Sequence, residues 1–221
     1  MHVEIWSDIA CPWCFVGKRR FETALAEFEH RDEVQVTWRS FELDPTAPLE
    51  YEGELAAHLA EKYGMTIAEA RERQQHLVDL GRAEGEELRF DLARRARTFD
   101  GHRLVHLAEA HGLQDEMKER LLRAYFTEGK LISDHDTLTA LGIEVGLPED
   151  GVREMLGGER YADAVRDDER TAQQLGISAV PTFVVDRALA ASGAHPPDAL
   201  LGLLRQGWEA PSQERAAGRS G

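Results

Sequence analysis

The stretch Val3-Glu4-Ile5-Trp6-Ser7-Asp8-Ile9-Ala10-Cys11-Pro12-Trp13-Cys14-Phe15-Val16-Gly17 sets two cysteines, three residues apart, just after a short β-prone run. Val3, Ile5 and Trp6 supply the apolar bulk of a buried strand. From Cys14 to Phe28 the period becomes helical. Val16, Phe21, Leu25 and Phe28 share one face, while Lys18, Arg19, Glu22 and Glu27 are expected to be wet. Val34-Gln35-Val36-Thr37-Trp38 alternates as a second strand, continuing to Phe41. Strand, helix and strand form a βαβ unit, which favours parallel pairing and puts Cys11 at the start of its helix.

Beyond Asp44-Pro45-Thr46-Ala47-Pro48, which breaks the pattern, the chain is helical in character from about Glu50 to Gln174. Leu55, Leu59 and Tyr63 mark one helix, ended by Gly64, and Thr66 with Glu69 forms a capping-box signature for the next, which runs to about Arg82. Further helices fit Asp100–His111, Gln114–Thr127, His135–Val145, Pro148–Leu156 and Arg160–Leu175, with Ser133 and Asp136 as the N-terminal signal of the third. β character returns at Thr182–Asp186, with Ala188–Ser192 as a weaker partner across an Asp186-Arg187 turn, and Pro197 opens a final helix. The order is βαβ, a helical block, then ββα. Joining the ends gives a thioredoxin fold, an α/β architecture with a central mixed sheet flanked by helices and carrying a large all-helical insertion. The divisions expected are residues 1–48 for the first half, 49–174 for the insertion, 175–208 for the second half and 209–221 as a disordered tail.

The 221 residues carry a formal charge of -15 and no basic stripe, which argues against nucleic acid and anionic membrane surfaces as partners. No apolar run approaches the roughly 20 residues of a membrane span. Glu4 and Asp8 fall where the apolar core of a signal peptide would lie, so the expected compartment is the cytoplasm. Structural disulfides are scarce there, and a close cysteine pair points to redox chemistry or metal.

At a helix start, unpaired N–H groups and the positive dipole end favour a thiolate at Cys11. Cys14 lies one turn on, close enough for a disulfide, and Pro12 suits the first turn because its missing donor costs little there. Cys11 is the expected nucleophile and Cys14 the more buried, resolving thiol. Zinc is the rival for the pair, but a closed site wants four ligands and there is no third cysteine. His102 and His106 have ligand spacing, yet nine histidines in the chain make one such coincidence unsurprising, and no metal is expected. The plain alternative is two reduced core cysteines.

Val180-Pro181-Thr182 tips the balance toward redox chemistry. A proline there must stand at the entry of the later strand or in a turn. A helix-start dithiol paired with a proline before the second hairpin is the thioredoxin arrangement, in which the Val180–Pro181 bond would be cis and lie beside the dithiol. Asp8-Ile9-Ala10-Cys11-Pro12-Trp13-Cys14-Phe15-Val16-Gly17 and Gly176-Ile177-Ser178-Ala179-Val180-Pro181-Thr182-Phe183-Val184 resemble the two signature regions of DsbA-like oxidoreductases of the FrnE type. Arg39–Pro45, Thr98–Leu104 and Ser192–His195 are similar to further family segments, so the likeness covers nearly the whole chain. The resemblance implies dithiol oxidoreductase or isomerase activity on a protein or small-molecule disulfide, with a redox-active Cys11–Cys14 disulfide, no bound cofactor, and a cellular thiol reductant or oxidant as partner. It implies Cys11 as nucleophile, Cys14 as resolving thiol and Pro181 as the cis-proline. Pro12, Trp13, Val180 and Pro181 are the candidates for tuning the pair, with Trp13 flanking a substrate groove or merely shielding Cys14 as its other readings. The related kappa-class glutathione transferases and 2-hydroxychromene-2-carboxylate isomerases share the fold and insertion and make glutathione a candidate co-substrate, although they usually hold Ser at the position of Cys11.

Two departures stand out. Arg97 replaces an Asn frequent in the family, and Ile5 occupies the position, six residues before the first cysteine, where exported DsbA-type proteins and thioredoxins tend to place a buried carboxylate that accepts the Cys14 proton. Strand alternation points Glu4 away, leaving the proton acceptor unassigned. Phe99, His102 and Thr182 are candidate substrate contacts, with a locally bonded helix-start histidine as the alternative for His102. Lys18, Arg19 and Arg20 are expected to form a solvated helix face, and Asp134-His135-Asp136 a capped helix start rather than a metal site.

Overall fold

A computed structural model describes residues 1–210. The strand β1 (His2–Ser7) leads into helix α1 (Pro12–Glu27), a short 3₁₀ turn at Arg31–Glu33 and strand β2 (Gln35–Ser40). The helical block follows as α2 (Leu55–Tyr63), α3 (Ile67–Ala83), α4 (Phe99–Glu109), α5 (Gln114–Phe126), α6 (His135–Val145), α7 (Glu149–Gly157) and α8 (Ala162–Gln174). The chain returns through β3 (Thr182–Val185), β4 (Leu189–Ser192) and α9 (Pro197–Glu209). This is the thioredoxin-like α/β architecture, with the helices inserted between its halves. The final helix reaches Glu209, one residue into the expected tail; residues 211–221 lie outside the described residues, and so does the expectation of disorder there.

The four strands lie in the order β2-β1-β3-β4, with β1 parallel to β2 and the other two pairs antiparallel. β1 is therefore central and buried along most of its length: Val3, Ile5 and Trp6 are all 0% exposed. Ile5 pairs with Trp38 on one side and Phe183 on the other. Phe183 stacks on Phe21 of α1 with ring centroids 5.4 Å apart, and Leu200, Leu201 and Leu204 of α9 join the same core. Each such side chain is worth roughly 1.5–3 kcal/mol of burial. On the opposite face the Trp6 indole N–H donates to the Asp168 carbonyl of α8 at 3.0 Å.

The outer edge of β2 is where the insertion grips the sheet. Gln114, the first residue of α5, accepts from the Trp38 N–H (2.9 Å) and donates to the Trp38 carbonyl (3.0 Å). Asp168 accepts from the Ser40 N–H at 2.8 Å. Backbone groups left free on an edge strand are thereby paired, which also blocks edge-to-edge association.

The Thr66–Glu69 capping box forms as the sequence predicts. At α6 the cap differs from expectation. Asp134, not Ser133, accepts from the Thr137 N–H at 2.8 Å, while the Ser133 hydroxyl is drawn off to the Leu49 carbonyl. At the β3–β4 turn Asp186 and Arg187 both take positive φ (46° and 53°), the hairpin conformation usually left to Asn and Gly. Two contacts hold them there: Asp186 accepts from the His2 N–H at 2.7 Å, and Arg187 clamps Glu4 at 2.8 and 3.0 Å.

Candidate active site

Cys11 is the N-cap of α1 and Pro12 its first residue, so the Cys14 N–H closes the first turn on the Cys11 carbonyl at 3.0 Å. Both cysteines are free thiols. Cys14 is 0% exposed and Cys11 4%, so only the first sulfur has access to the outside. The Cys11 thiol points at the Val180 carbonyl at 3.6 Å. The Val180–Pro181 bond is cis, which brings the loop before β3 against the start of α1. Gly17 permits that approach: a Cβ there would stand 2.7 Å from Pro181 Cγ. On the other flank, Gly101 of α4 admits Ile9, whose Cδ1 would be 2.6 Å from a Cβ at that position. The dithiol is thus wedged between the two halves of the fold and the insertion.

A cleft of about 1040 Å³ opens over this wedge. Its floor includes Cys11, Pro12, Trp13 and the Ser178–Val180 backbone, and the α2–α3 hairpin forms the far wall. Trp13, 41% exposed, follows Cys11 and Pro12 at the same end of the cleft. Charges of both signs also face the cleft: Lys62, Arg73 and Arg95 on one side of the balance, Asp44, Glu69 and Glu72 on the other.

Phe99, His102 and Thr182, the expected substrate contacts, do not line this cleft. His102 is 1% exposed and directed at Asp8, with Nε2 3.2 Å from Oδ1. Phe99 is half-buried under the guanidinium groups of Arg97, Arg103 and Arg166. The Thr182 hydroxyl donates to the Ala179 carbonyl at 2.7 Å and so braces the loop that carries Pro181. His102 and Thr182 turn from the cleft because the partners that satisfy their polar atoms lie in the protein interior, and Phe99 because its ring is covered by arginines.

Asp8 is committed on every side. It accepts from the Leu43 N–H at 2.8 Å, from His102 and, more weakly, from the Ala10 N–H at 3.5 Å. Burial disfavours its charge, but the His102 and Leu43 hydrogen bonds and the nearby Lys118 outweigh that and hold the carboxyl below its usual range. Burial in turn pushes His102 down, with Lys118 adding to the effect, so a neutral imidazole donates to an ionised Asp8.

The two sulfurs titrate as a unit. Burial works against a charge on Cys14, yet the Cys11 thiol, the Lys118 ammonium, the Ser7 hydroxyl and the Asp8 N–H together lower it. Hydrogen bonding to Cys14 and burial then raise Cys11 well above an ordinary thiol. The lowered value thus falls on Cys14 and not, as the helix start suggested, on Cys11.

Lys118 is the residue that sequence reasoning missed. It is 1% exposed, and its ammonium donates to the Ser7 carbonyl at 3.1 Å. The signal was present in the spacing: Lys118 falls on the same stripe of α5 as the fully buried Leu121 and Leu122 and the buried Tyr125. Lys18 corrects a second expectation. Rather than standing on a solvated face it is 1% exposed and paired with Glu22, Asp115 and Glu119. Among the described residues no cluster of three or more His, Cys, Asp or Glu side chains is arranged to hold a metal ion.

The model of the DsbA-like thioredoxin domain matches residues 2–205. The chain belongs to the DsbA-like thioredoxin family. Its fold superposes on a probable DsbA oxidoreductase, SCO1869, from Streptomyces coelicolor with a TM-score of 0.92 at 43% identity, covering 96% of this chain and 92% of that one. It is 29% identical to the uncharacterised protein YwbO of Bacillus subtilis over 84% of this chain and 86% of that protein. The cytosolic disulfide reductase DsbM from Pseudomonas aeruginosa, in a structure with GSH, shares the fold with a TM-score of 0.68 at 22% identity, over 95% of this chain and all of that one (100%). Membership places the protein among thiol oxidoreductases, which need no bound cofactor. No helix among the described residues is long and apolar enough to cross a membrane.

Proposed function

We propose that the protein is a dithiol–disulfide oxidoreductase that works through a mixed disulfide on Cys11. The observation that carries this is the asymmetry of the pair: one sulfur at the floor of a cleft, the other sealed behind it within one helical turn. In the reducing direction the proton shared by the pair passes to Cys14, and the Cys11 thiolate attacks a substrate disulfide RS–SR′. A Cys11–SR bond forms and R′S⁻ leaves to take a proton from water. Cys14 then gives up its proton and attacks the Cys11 sulfur, forming the Cys11–Cys14 disulfide and releasing RS⁻, which takes up the proton that Cys14 lost. The pair gives up two electrons and the substrate becomes two thiols. A cellular thiol reduces the pair again, and an oxidant in place of the reductant runs the cycle backwards.

The exposed backbone before β3 and the Trp13 ring suit an extended or amphiphilic substrate laid along the cleft, and its cations and carboxylates together suit one that carries both charges. Glutathione meets both descriptions, is bound by the similarly folded DsbM, and is the co-substrate we favour. A reducing compartment, such as the cytosol named for DsbM, fits this direction. A glutathione isomerase or transferase reading has less support, because it leaves Cys14 without a task.

The test is disulfide exchange with oxidised glutathione and with a disulfide-bonded peptide. Cys11→Ser should lose at least about a thousandfold in rate. Cys14→Ser should instead accumulate a mixed disulfide that mass spectrometry detects. Equal rates for wild type and both variants would sink the proposal.

A further inference from the structure

Resolution of the mixed disulfide needs a proton to leave Cys14, whose sulfur is sealed from solvent. The strand position that could have offered a carboxylate is Ile5, 0% exposed and packed in the apolar core. Asp8 is the nearest acid to the pair, but its oxygens already accept from Leu43, His102 and Ala10. Glu4, the other buried acid of β1, is taken by Arg39 and Arg187.

Lys118 is differently placed. It comes from α5 of the insertion, and its charge is felt by both sulfurs. Its one hydrogen bond is to the Ser7 carbonyl, and among the described residues no carboxylate lies within ion-pair distance of it. A lysine buried without a counter-ion yields its proton easily. The groups facing it are Cys11, Cys14 and Lys18 from α1, Asp8 and Ser7 from the end of β1 and the loop after it, His102 from α4 and the Trp38 ring from β2. Of these, Asp8 and the thiols favour its charged form, while Lys18 and burial oppose it. Burial dominates and brings the ammonium down to about 8. Both protonation states are therefore accessible under ordinary conditions, as a proton carrier requires.

We propose that Lys118 is the proton carrier of the resolving step. This rests on the dithiol function argued above. Neutral Lys118, held at the Ser7 carbonyl and not in direct contact with either sulfur, takes the proton of the Cys14 thiol through one intervening water and becomes an ammonium whose charge supports the new thiolate. That thiolate displaces RS⁻ from Cys11, and the proton on Lys118 passes to RS⁻, restoring the neutral amine and releasing RSH. In the opposite direction, a substrate thiolate opens the disulfide at Cys11 and the Lys118 ammonium stabilises and then protonates the departing Cys14 sulfur. The carrier thus stands on the helical insertion and not on the central strand.

The test separates the two chemical steps. In wild type the resolving rate, followed in single turnover from a preformed mixed disulfide with glutathione, should rise with pH and level off above about 8. Lys118→Met keeps the stem and removes the amine. It should slow resolution about a hundredfold and abolish that inflection, leaving attack by Cys11 largely intact. The thiolate absorbance of the reduced pair should also move to higher pH by about one unit. Lys118→Arg keeps the charge but cannot give up its proton; it should restore the thiolate titration and not the inflection. A wild-type profile in Lys118→Met, or a retained inflection in Lys118→Arg, overturns the inference. Should either variant fail to fold, ¹⁵N-labelled lysine in the wild-type protein gives the answer. The Lys118 resonance must titrate well below an ordinary lysine and shift when Cys14→Ser replaces the resolving thiol; an ordinary, unshifted titration overturns it. Trapping of glutathione by Cys14→Ser reports on the dithiol function separately, so the two ideas can fail independently.

Discussion

Lys18 and Lys118 share one indole. Each is 1% exposed, and their ammonium groups stand 5.7 and 5.8 Å from the Trp38 ring. Burial opposes the charge of both. Around Lys18, Glu22, Asp115 and Glu119 more than offset that cost, and the ammonium is held above its usual range. Around Lys118 there are a carbonyl, two thiols and an Asp8 already engaged with His102, and the ammonium falls to about 8. The same residue type against the same ring becomes a fixed structural charge in one place and a titrating group in the other. The carboxylates in the shell make most of the difference, and the deeper enclosure of the Lys118 ammonium adds to it.

The largest expected contrast is in stability. Lys18→Met leaves three acids crowded without their cation and should cost about 2–4 kcal/mol in urea unfolding near pH 7, somewhat moderated because those acids reach solvent. Lys118→Met removes an uncompensated buried charge and should be neutral or stabilising by about 1–3 kcal/mol. Equal losses at both positions would mean that the two shells are energetically alike.

Alkaline titration should divide the pair by sign. Lys118 carries a lowered folded value, about 8 against 10.5, so its cost is present in full below 8 and disappears as pH rises to 10.5. Relative to Lys118→Met, the oxidised wild-type protein, in which the thiols no longer favour the ammonium, should gain at least about 3 kcal/mol as pH rises to 10.5. Lys18 has a raised folded value. Its contribution is complete below 10.5 and is lost as pH climbs through the folded value, so wild type should lose ground against Lys18→Met there. Unfolding free energies of the three oxidised proteins between pH 7 and 11 would check both slopes.

Asp8→Asn keeps an acceptor for His102 and removes the charge that supports the Lys118 ammonium. Lys118 should then titrate below about 8 while Lys18 does not move, as ¹⁵N-lysine spectra would show. The smallest effect is expected at the shared ring. Trp38→Phe retains an aromatic face for both lysines but loses the indole N–H bond to Asp115, 2.8 Å long, on the Lys18 side only. A loss of about 0.5–1.5 kcal/mol is expected, with the Lys118 titration unchanged.

Much of the fold could be read along the chain, since most helices and strands begin and end within two residues of the expected limits. Those boundaries rest on period, caps and breakers, which act over a few residues. The α6 cap shows where such reading ends: Ser133 looks like a cap until Leu49, far away in sequence, claims its hydroxyl. The candidate site was legible in part. Cys11, Cys14 and the Val180–Pro181 loop announced themselves by residue type and position. Phe99, His102 and Thr182 were near the site but turned away from the cleft, a matter of side-chain direction that spacing does not encode.

By itself, the sequence determined that a dithiol would stand at the first helix start, with a proline entering the second half across a helical insertion. Helix geometry and strand chemistry are local and follow from neighbouring residues. Only the tertiary structure decided which charges surround that dithiol. Lys118 meets Ser7 across 111 residues, and Lys18 meets Asp115 across 97. A charge state depends on which groups share a dry pocket, and folding assembles that pocket from segments that do not touch in the chain.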